Sequence, residues 1–284
     1  MFKMWRKWRK EHPAGPLDYA RKWPLQLTML ATFVFLYAPI VILIAFSFND
    51  SRRNIVWRGF TLKYYEKAMA NDGLIEAFVN SLTIAFVSTI VSTILGAMVA
   101  ILLWRFRFPG KPAYEGTMAL PIVIPEICMG VAMLAFFARI GWPTDLIWPL
   151  NLGNIIIAHI SFSFPFAAVV IRARLAGFNR ELEEAARDLG ANEWEVYRDI
   201  LIPYLRPGLV AGGLLAFTLS LVDFVITFFT SGPETVTFPV KVYSMVRFSV
   251  TPEVNAASTV LIVITLVLTA VALWMQNRSS SKND

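Results

Sequence analysis

FVNSLTIAFVSTIVSTILGAMVAILL, residues 78–103, runs for twenty-six positions without one charged side chain. A helix needs about 20 apolar residues to cross a hydrocarbon core about 30 Å thick, so this stretch is long enough to span a bilayer with some tilt. Similar windows recur along the chain. They predict six spans, at Leu25–Ser47, Phe78–Leu103, Thr117–Ile140, Leu152–Ile171, Gly208–Thr230 and Asn255–Met275. Composition agrees: of 284 residues, 56% are hydrophobic and 16% charged, outside the range of soluble domains. The expected class is an all-α integral membrane protein with six transmembrane helices. No repeat or low-complexity linker divides it, so residues 25–275 form one domain between a tail at 1–24 and another at 276–284.

Composition also excludes several functions. Cys128 is the only cysteine, which rules out an internal disulfide framework and any cysteine-rich metal site. Of the two histidines, His159 falls inside a span, where a hydrogen bond to a neighbouring helix is expected rather than a metal. The net charge of +6 does not point to nucleic acid, because the basic residues gather beside the apolar spans as membrane topology requires. Seven Lys and Arg precede the first span, and no small-residue cleavage site follows it. Eighteen of the 26 Lys and Arg fall on the side of that tail and eight on the other, five of these in the first outer loop. The positive-inside bias therefore places both termini in the cytoplasm. Tryptophans 23, 104, 142, 148 and 274 mark the ends of the spans, where an amphipathic ring rests at headgroup level.

One loop, 172–207, breaks the apolar pattern. Its segment EEAARDLGANEWEVYRDILIP, residues 183–203, carries eight charged side chains. Gly190 can adopt the positive φ that ends a helix, and Asn192 with Glu195 has the spacing of a capping box, so two short helices joined by a tight turn are expected. On the second, Trp194, Tyr197, Ile200 and Leu201 recur as an apolar stripe opposite Glu195, Arg198 and Asp199, and Pro203 is expected to close the helix. The stripe needs a partner: the rest of this chain, another protein or the lipid surface.

Glu184-Ala185-Ala186, followed by Gly190, Ile200 and Pro203, resembles the EAA loop of permease subunits in binding-protein-dependent ABC importers, with Ile202 where leucine is usual before the proline. The resemblance implies the type I ABC importer permease fold. It also implies that Glu184, Ala185, Ala186, Gly190, Trp194, Ile200 and Pro203 belong to coupling helices seated in a groove of a separate cytoplasmic ATPase. No G-x-x-x-x-G-K-[ST] loop occurs in the sequence, and Gly110-Lys111 is followed by proline, so nucleotide phosphates have no cradle here. No cofactor is expected in this chain, with ATP and Mg bound by the ATPase, and no catalytic or metal residues are expected either. The implied partners are a second homologous permease, two copies of the ATP-binding subunit, a periplasmic solute-binding protein and the bilayer of a bacterial inner membrane.

Two carboxylates lie where charge is costly, about 2.5 to 3.5 kcal/mol near a bilayer centre on insertion scales. Glu126 follows LPIVIP in the third span, where Pro121 and Pro125 remove two backbone donors and predict a bend or interruption. Asp223 lies in the fifth. Either they line a path for a cationic solute, or each pairs with a polar group such as Arg139, Thr218 or Ser220. Gly96, Gly130, Gly212 and Gly213 are expected to permit close helix contact. FSFNDSRR, RFRFPGKP, AFTLSLVDFVITFFTSGP and KVYSMVRFSVTPEVNAAST together resemble the spermidine/putrescine subgroup of these permeases, where the fifth span commonly holds two adjacent aspartates; here Val222 replaces the first. The resemblance implies polyamine cargo, with ferric iron or aminoethylphosphonate as the cargo of related systems. A self-contained channel or proton-coupled carrier using Glu126 and Asp223 as a relay is the alternative of a different class.

Overall fold

A computed structural model describes residues 23–51, 56–140, 150–232, 235–248 and 251–280. The tail at 1–22, Arg52 and Arg53, Trp142, Trp148, the side chain of Trp274 and residues 281–284 lie outside what is described. The described residues are helical almost throughout, with one isolated bridge, Asn49 to Phe60. Five helices are long and apolar enough to cross a membrane, or six if one sharply bent pair counts as a single span.

Helix α1, Trp23–Ser47, is apolar on every side, and Ser47 is its only buried residue. A helix of that kind is solvated by lipid or by other membrane helices rather than by water. A short α2, Lys63–Met69, leads into α3, Asp72–Arg105, which covers and overruns the span expected at 78–103. Asn71 begins α3 by accepting from the Leu74 amide.

The expected span at 117–140 is two helices, α4, Lys111–Val123, and α5, Glu126–Ile140, which meet at 106°. Proline explains the break. Pro125 disfavours helical dihedrals at Ile124, which is extended at φ −70°, ψ 134°, and Pro121 has already withdrawn a donor from the last turn. Helix α6, Leu150–Leu175, follows; after the loop helix α7, Glu181–Asp188, the chain enters α8, Glu193–Val222.

Two expectations fail on α8. Pro203 does not close the loop helix, because residues Val196–Leu201 wind as a π-helix and the Ile202 amide bonds to Tyr197 O, five residues back. That wider turn admits the proline ring, and Pro203 then stands in the first turn of the following α-helical stretch, where its missing donor costs nothing. The helix also stops at Val222 instead of running to Thr230. Asp223 is extended, and its carboxylate accepts from the amides of Ile226 (3.4 Å) and Thr227 (2.8 Å), starting a separate α9 at Val225–Thr230. An aspartate that satisfies the first amides of a new helix competes with continuation of the old one. Helix α10, Phe238–Phe248, and the long α11, Pro252–Ser280, complete the chain; α11 continues past Met275, where the last span was expected to end.

The centre is a trio, α3, α6 and α8. Their contact surfaces are rich in small side chains: Ala85, Ser88, Ser92, Gly96 and Ala100 on α3, Ala167 and Ala168 on α6, Gly212 and Ala216 on α8. In lipid there is no hydrophobic drive between helices, so close backbone approach and dispersion contacts supply the attraction. Gly96 shows how close: a Cβ there would lie 2.9 Å from the Ala168 nitrogen. Larger side chains fill the ends. Ile171, Leu175, Phe178, Leu201 and Leu205 pack at the end bearing the charged loop, and Ala68, Leu74, Phe238 and Ala257 at the opposite end.

Candidate functional site

The loop between α6 and α8 is built by local signals. Acidic residues Glu181, Glu183 and Glu184 occupy the first turn of α7, where the helix dipole favours them. Gly190 ends it at φ +89°, with its amide bonded to Arg187 O (2.9 Å) and the Ala191 amide to Ala186 O (3.0 Å), the two bonds of a Schellman turn. The expected capping box is present: Asn192 Oδ1 accepts from the Glu195 amide at 3.0 Å and Glu195 Oε2 from the Asn192 amide at 2.7 Å.

The apolar stripe divides between two environments. Leu201 is buried in a cluster with Ala100, Ile171, Leu175, Phe178 and Leu205, and Tyr197 and Ile200 pack inward against that cluster. Trp194 does not join them and is 66% exposed, while Val196 is fully buried. The π-winding is the reason, since it puts Val196 and Leu201, five positions apart, on the same inner side. On the outer side stand Leu182, Ala185, Leu189 and Trp194, with Leu189 90% exposed, beside exposed Glu184 and Gly190 and half-buried Ala186. Ile200 and Pro203 lie on the half-buried flank toward the bundle.

Charge joins this loop to the bundle. Arg105, the last residue of α3, donates from Nη1 to Glu183 Oε1 (3.3 Å) and from Nη2 to Glu193 Oε2 (3.1 Å), with its guanidinium 5.0 Å from the centre of the Tyr197 ring. Arg187 donates to Glu193 Oε1 at 3.0–3.1 Å and lies 3.6 Å from Glu183 Oε2. A planar fork that grips one carboxylate on each of two helices fixes their mutual angle, which a lysine could not do. Glu183 is buried, so this pairing is needed to hold its charge. Trp104, Arg105, Phe106, Arg180, Glu183, Glu184 and Arg187 line a cleft of about 300 Å³ beside the network. Sequence reasoning missed Arg105, Glu183, Arg187 and Glu193. Arg105 and Glu183 are seventy-eight positions apart, and nothing local in either segment announces the pairing.

The two membrane carboxylates have different surroundings. Glu126 is exposed in the first turn of α5, just after the proline break. Asp223 is buried, and its Oδ2 accepts from the Thr227 amide and hydroxyl (2.8 and 2.9 Å), with His159 Nε2 at 3.3 Å. His159 Nε2 lies 2.9 Å from Thr227 Oγ1 and Nδ1 2.7 Å from Ser220 Oγ, which accepts from Ser88 Oγ at 3.0 Å. A neutral ring protonated on Nε2 satisfies every member: Ser88 donates to Ser220, Ser220 to Nδ1, Nε2–H to Thr227 and Thr227 to Asp223. The network ties α3, α6, α8 and α9 together at the break. The suggested partners Arg139 and Thr218 are not used for Asp223; Thr218 bonds within its own helix to Leu214 O. His159 is bonded to a neighbouring helix, as expected. Among the described residues no group of three His, Cys, Asp or Glu is placed to hold a metal ion.

Residues 92–283 match the family described as binding-protein-dependent transport system inner membrane component. The chain is 42% identical over 240 residues, 84% of this chain and 89% of the other, to the spermidine/putrescine transport system permease protein PotC of Escherichia coli (strain K12). To the putrescine transport system permease protein PotI of the same organism it is 37% identical over 265 residues, 92% of each chain. Among solved structures, a bacterial ABC transporter that imports the acidic polysaccharide alginate has a chain with a TM-score of 0.71 at 20% identity, covering 92% of this chain and 97% of that one. A second structure of an alginate transporter, in complex with an alginate pentasaccharide-bound periplasmic protein, gives 0.68 at 19% identity, covering 92% and 96%. At such identity these two establish the fold. By family match, by identity along most of its length and by fold, the chain belongs to the inner membrane components of binding-protein-dependent transport systems.

Proposed function

We propose that this chain is one permease subunit of an ATP-driven importer for a small polyamine such as putrescine or spermidine. The observation that carries the cargo is the 42% identity, over 84% of the chain, to a permease named for spermidine and putrescine transport. In this proposal six spans, counting α4 and α5 as one broken span, form half of the translocation pathway, and a second homologous permease forms the other half. Both termini and the α7–α8 loop face the cytoplasm, and a periplasmic binding protein delivers the solute from the opposite side.

The loop is the coupling device. Leu182, Ala185, Leu189 and Trp194 are exposed apolar side chains beside Glu184 and the Gly190 turn, suited to a groove on one of the two ATP-binding subunits. The inner side of the loop is anchored to α3 and α6, so a displacement at the outer side is passed into the bundle. Glu126 offers an accessible carboxylate to a cation that has shed water, and Asp223 acts from behind the break it creates.

Reconstitution of the full complex in vesicles tests this. Labelled putrescine or spermidine should accumulate only when ATP is supplied on the side of the α7–α8 loop. Uptake without ATP hydrolysis would instead favour a self-contained channel or carrier, and ATP-driven uptake of a different solute would change the cargo alone.

A further inference from the structure

Helix α4 is held loosely against the bundle. None of its 13 residues is buried, and α6 is its main packing neighbour. Between α3, α4 and α6 lies a cavity of about 160 Å³, lined mainly by apolar groups such as Val99, Leu103, Met118, Ile122, Pro165 and Val169. An apolar cavity of this kind stays dry, so a helix can settle into it without expelling bound water.

Both ends of α4 are pivots. Gly110 precedes it in the left-handed region, at φ +84°. At the other end Ile124 is extended and Pro125 has no donor to carry the helical ladder across, so α4 and α5 meet at 106°. Between these points α4 can tilt as one rod, and the tilt is passed to Ile124 and so to Glu126.

Polar ties fix the position of the rod. Lys111 Nζ donates to the carbonyls of Leu103 and Phe106 at the end of α3, which anchors the Gly110 pivot. One turn further on, Arg172 Nη2 donates to Glu115 Oε1 at 2.9 Å, with the two side chains 46% and 35% exposed. Arg172 stands in the last turn of α6, where Ile171 and Leu175 pack with Leu201 and Leu205 as α8 leaves the charged loop. That turn of α6 therefore touches the root of the loop on one side and α4 on another.

We propose that α4 is a hinged gate segment and that the Glu115–Arg172 ion pair is the latch through which the coupling loop controls it. The proposal rests on the ATP-driven importer function proposed above. Displacement of the loop moves the last turn of α6, the ion pair passes that movement to α4, and α4 tilts about Gly110 against the cavity. A half-exposed ion pair adds little stability and is readily broken and remade, which suits a tie that must release in every cycle. Glu115 and Arg172 are positioning residues; neither has to touch the solute.

The test uses the complete complex with Cys128→Ser, so that Glu115→Cys and Arg172→Cys supply the only thiols of this chain. Bridging the pair with a reducible bifunctional methanethiosulfonate should lower uptake of labelled putrescine in vesicles about tenfold, and reduction should restore it. Vanadate trapping with ATP and loaded binding protein before bridging should lower the bridge yield about threefold. Glu115→Arg and Arg172→Glu should each lower uptake per ATP hydrolysed about threefold, the shift a half-exposed pair can impose on a two-state equilibrium, and the double exchange should restore it. Equal bridge yield in both states, or full uptake with the bridge in place, overturns the latch and leaves the importer standing. Single reversals that release the second permease or an ATP-binding subunit also overturn it, making the pair part of a subunit interface. An unmodified complex that couples no uptake to ATP hydrolysis overturns both.

Discussion

Arg105 and Glu183, far apart in sequence, meet at 3.3 Å where the last turn of a membrane helix touches the first turn of a loop helix. The same guanidinium reaches Glu193 on the next helix at 3.1 Å. The loop is therefore held to the bundle by a short-range contact with fixed geometry, and its two helices are oriented by one residue that belongs to neither.

Arg105→Ala should lower stability by about 1 to 3 kcal/mol, because it leaves the buried Glu183 carboxylate with only the longer contact to Arg187 at 3.6 Å. Arg105→Ala with Glu183→Gln should recover part of that loss. Thermal melting of the purified complex in detergent checks both, and strictly additive losses would remove the coupling between the two groups.

Gly190→Ala should cost about 1 to 2 kcal/mol in the loop, since φ is +89° there and a Cβ is unfavourable in the left-handed region. Gly190→Asn should cost less. No neighbouring atom lies within 4 Å of the added carbon, so the penalty is conformational and membrane insertion should be unaffected. Uptake per ATP hydrolysed is the quantity to measure, and it should fall in the alanine variant.

Trp194→Ala and Leu189→Ala should leave the melting temperature of the isolated chain nearly unchanged, because both side chains are largely exposed. Co-purification of the ATP-binding subunit should drop severalfold. An undiminished yield of that subunit with normal uptake would remove the docking role of this surface.

Asp223→Asn and Glu126→Gln should separate structure from passage. The amide at 223 puts a donor where the Thr227 amide and hydroxyl already direct theirs, and should destabilise by about 1 to 3 kcal/mol as well as slow polyamine uptake. Glu126→Gln, at an exposed position, should slow uptake with little change in melting. Equal effects of the two substitutions on stability would contradict their different surroundings.

Much of the protein was legible along the chain, where the relevant physics is local. A run such as 78–103 can be stable only across a bilayer or within a large apolar core, and α3 covers it. The Gly190 turn, the Asn192–Glu195 box and the interruption before Glu126 each depend on a few adjacent residues, and each forms as their backbone preferences require. Three-dimensional packing settled the rest. Whether Pro203 ends a helix depended on a π-turn that brings Val196 and Leu201 to one side against α3 and α6; whether Asp223 stays within a span depended on the His159, Ser220 and Thr227 side chains around it. Arg105 became the anchor of the loop because folding brought its guanidinium to two distant carboxylates. The period of a sequence reports backbone preference and the side a residue faces, whereas the partner of a buried charge is chosen by proximity, which exists only once the helices have packed.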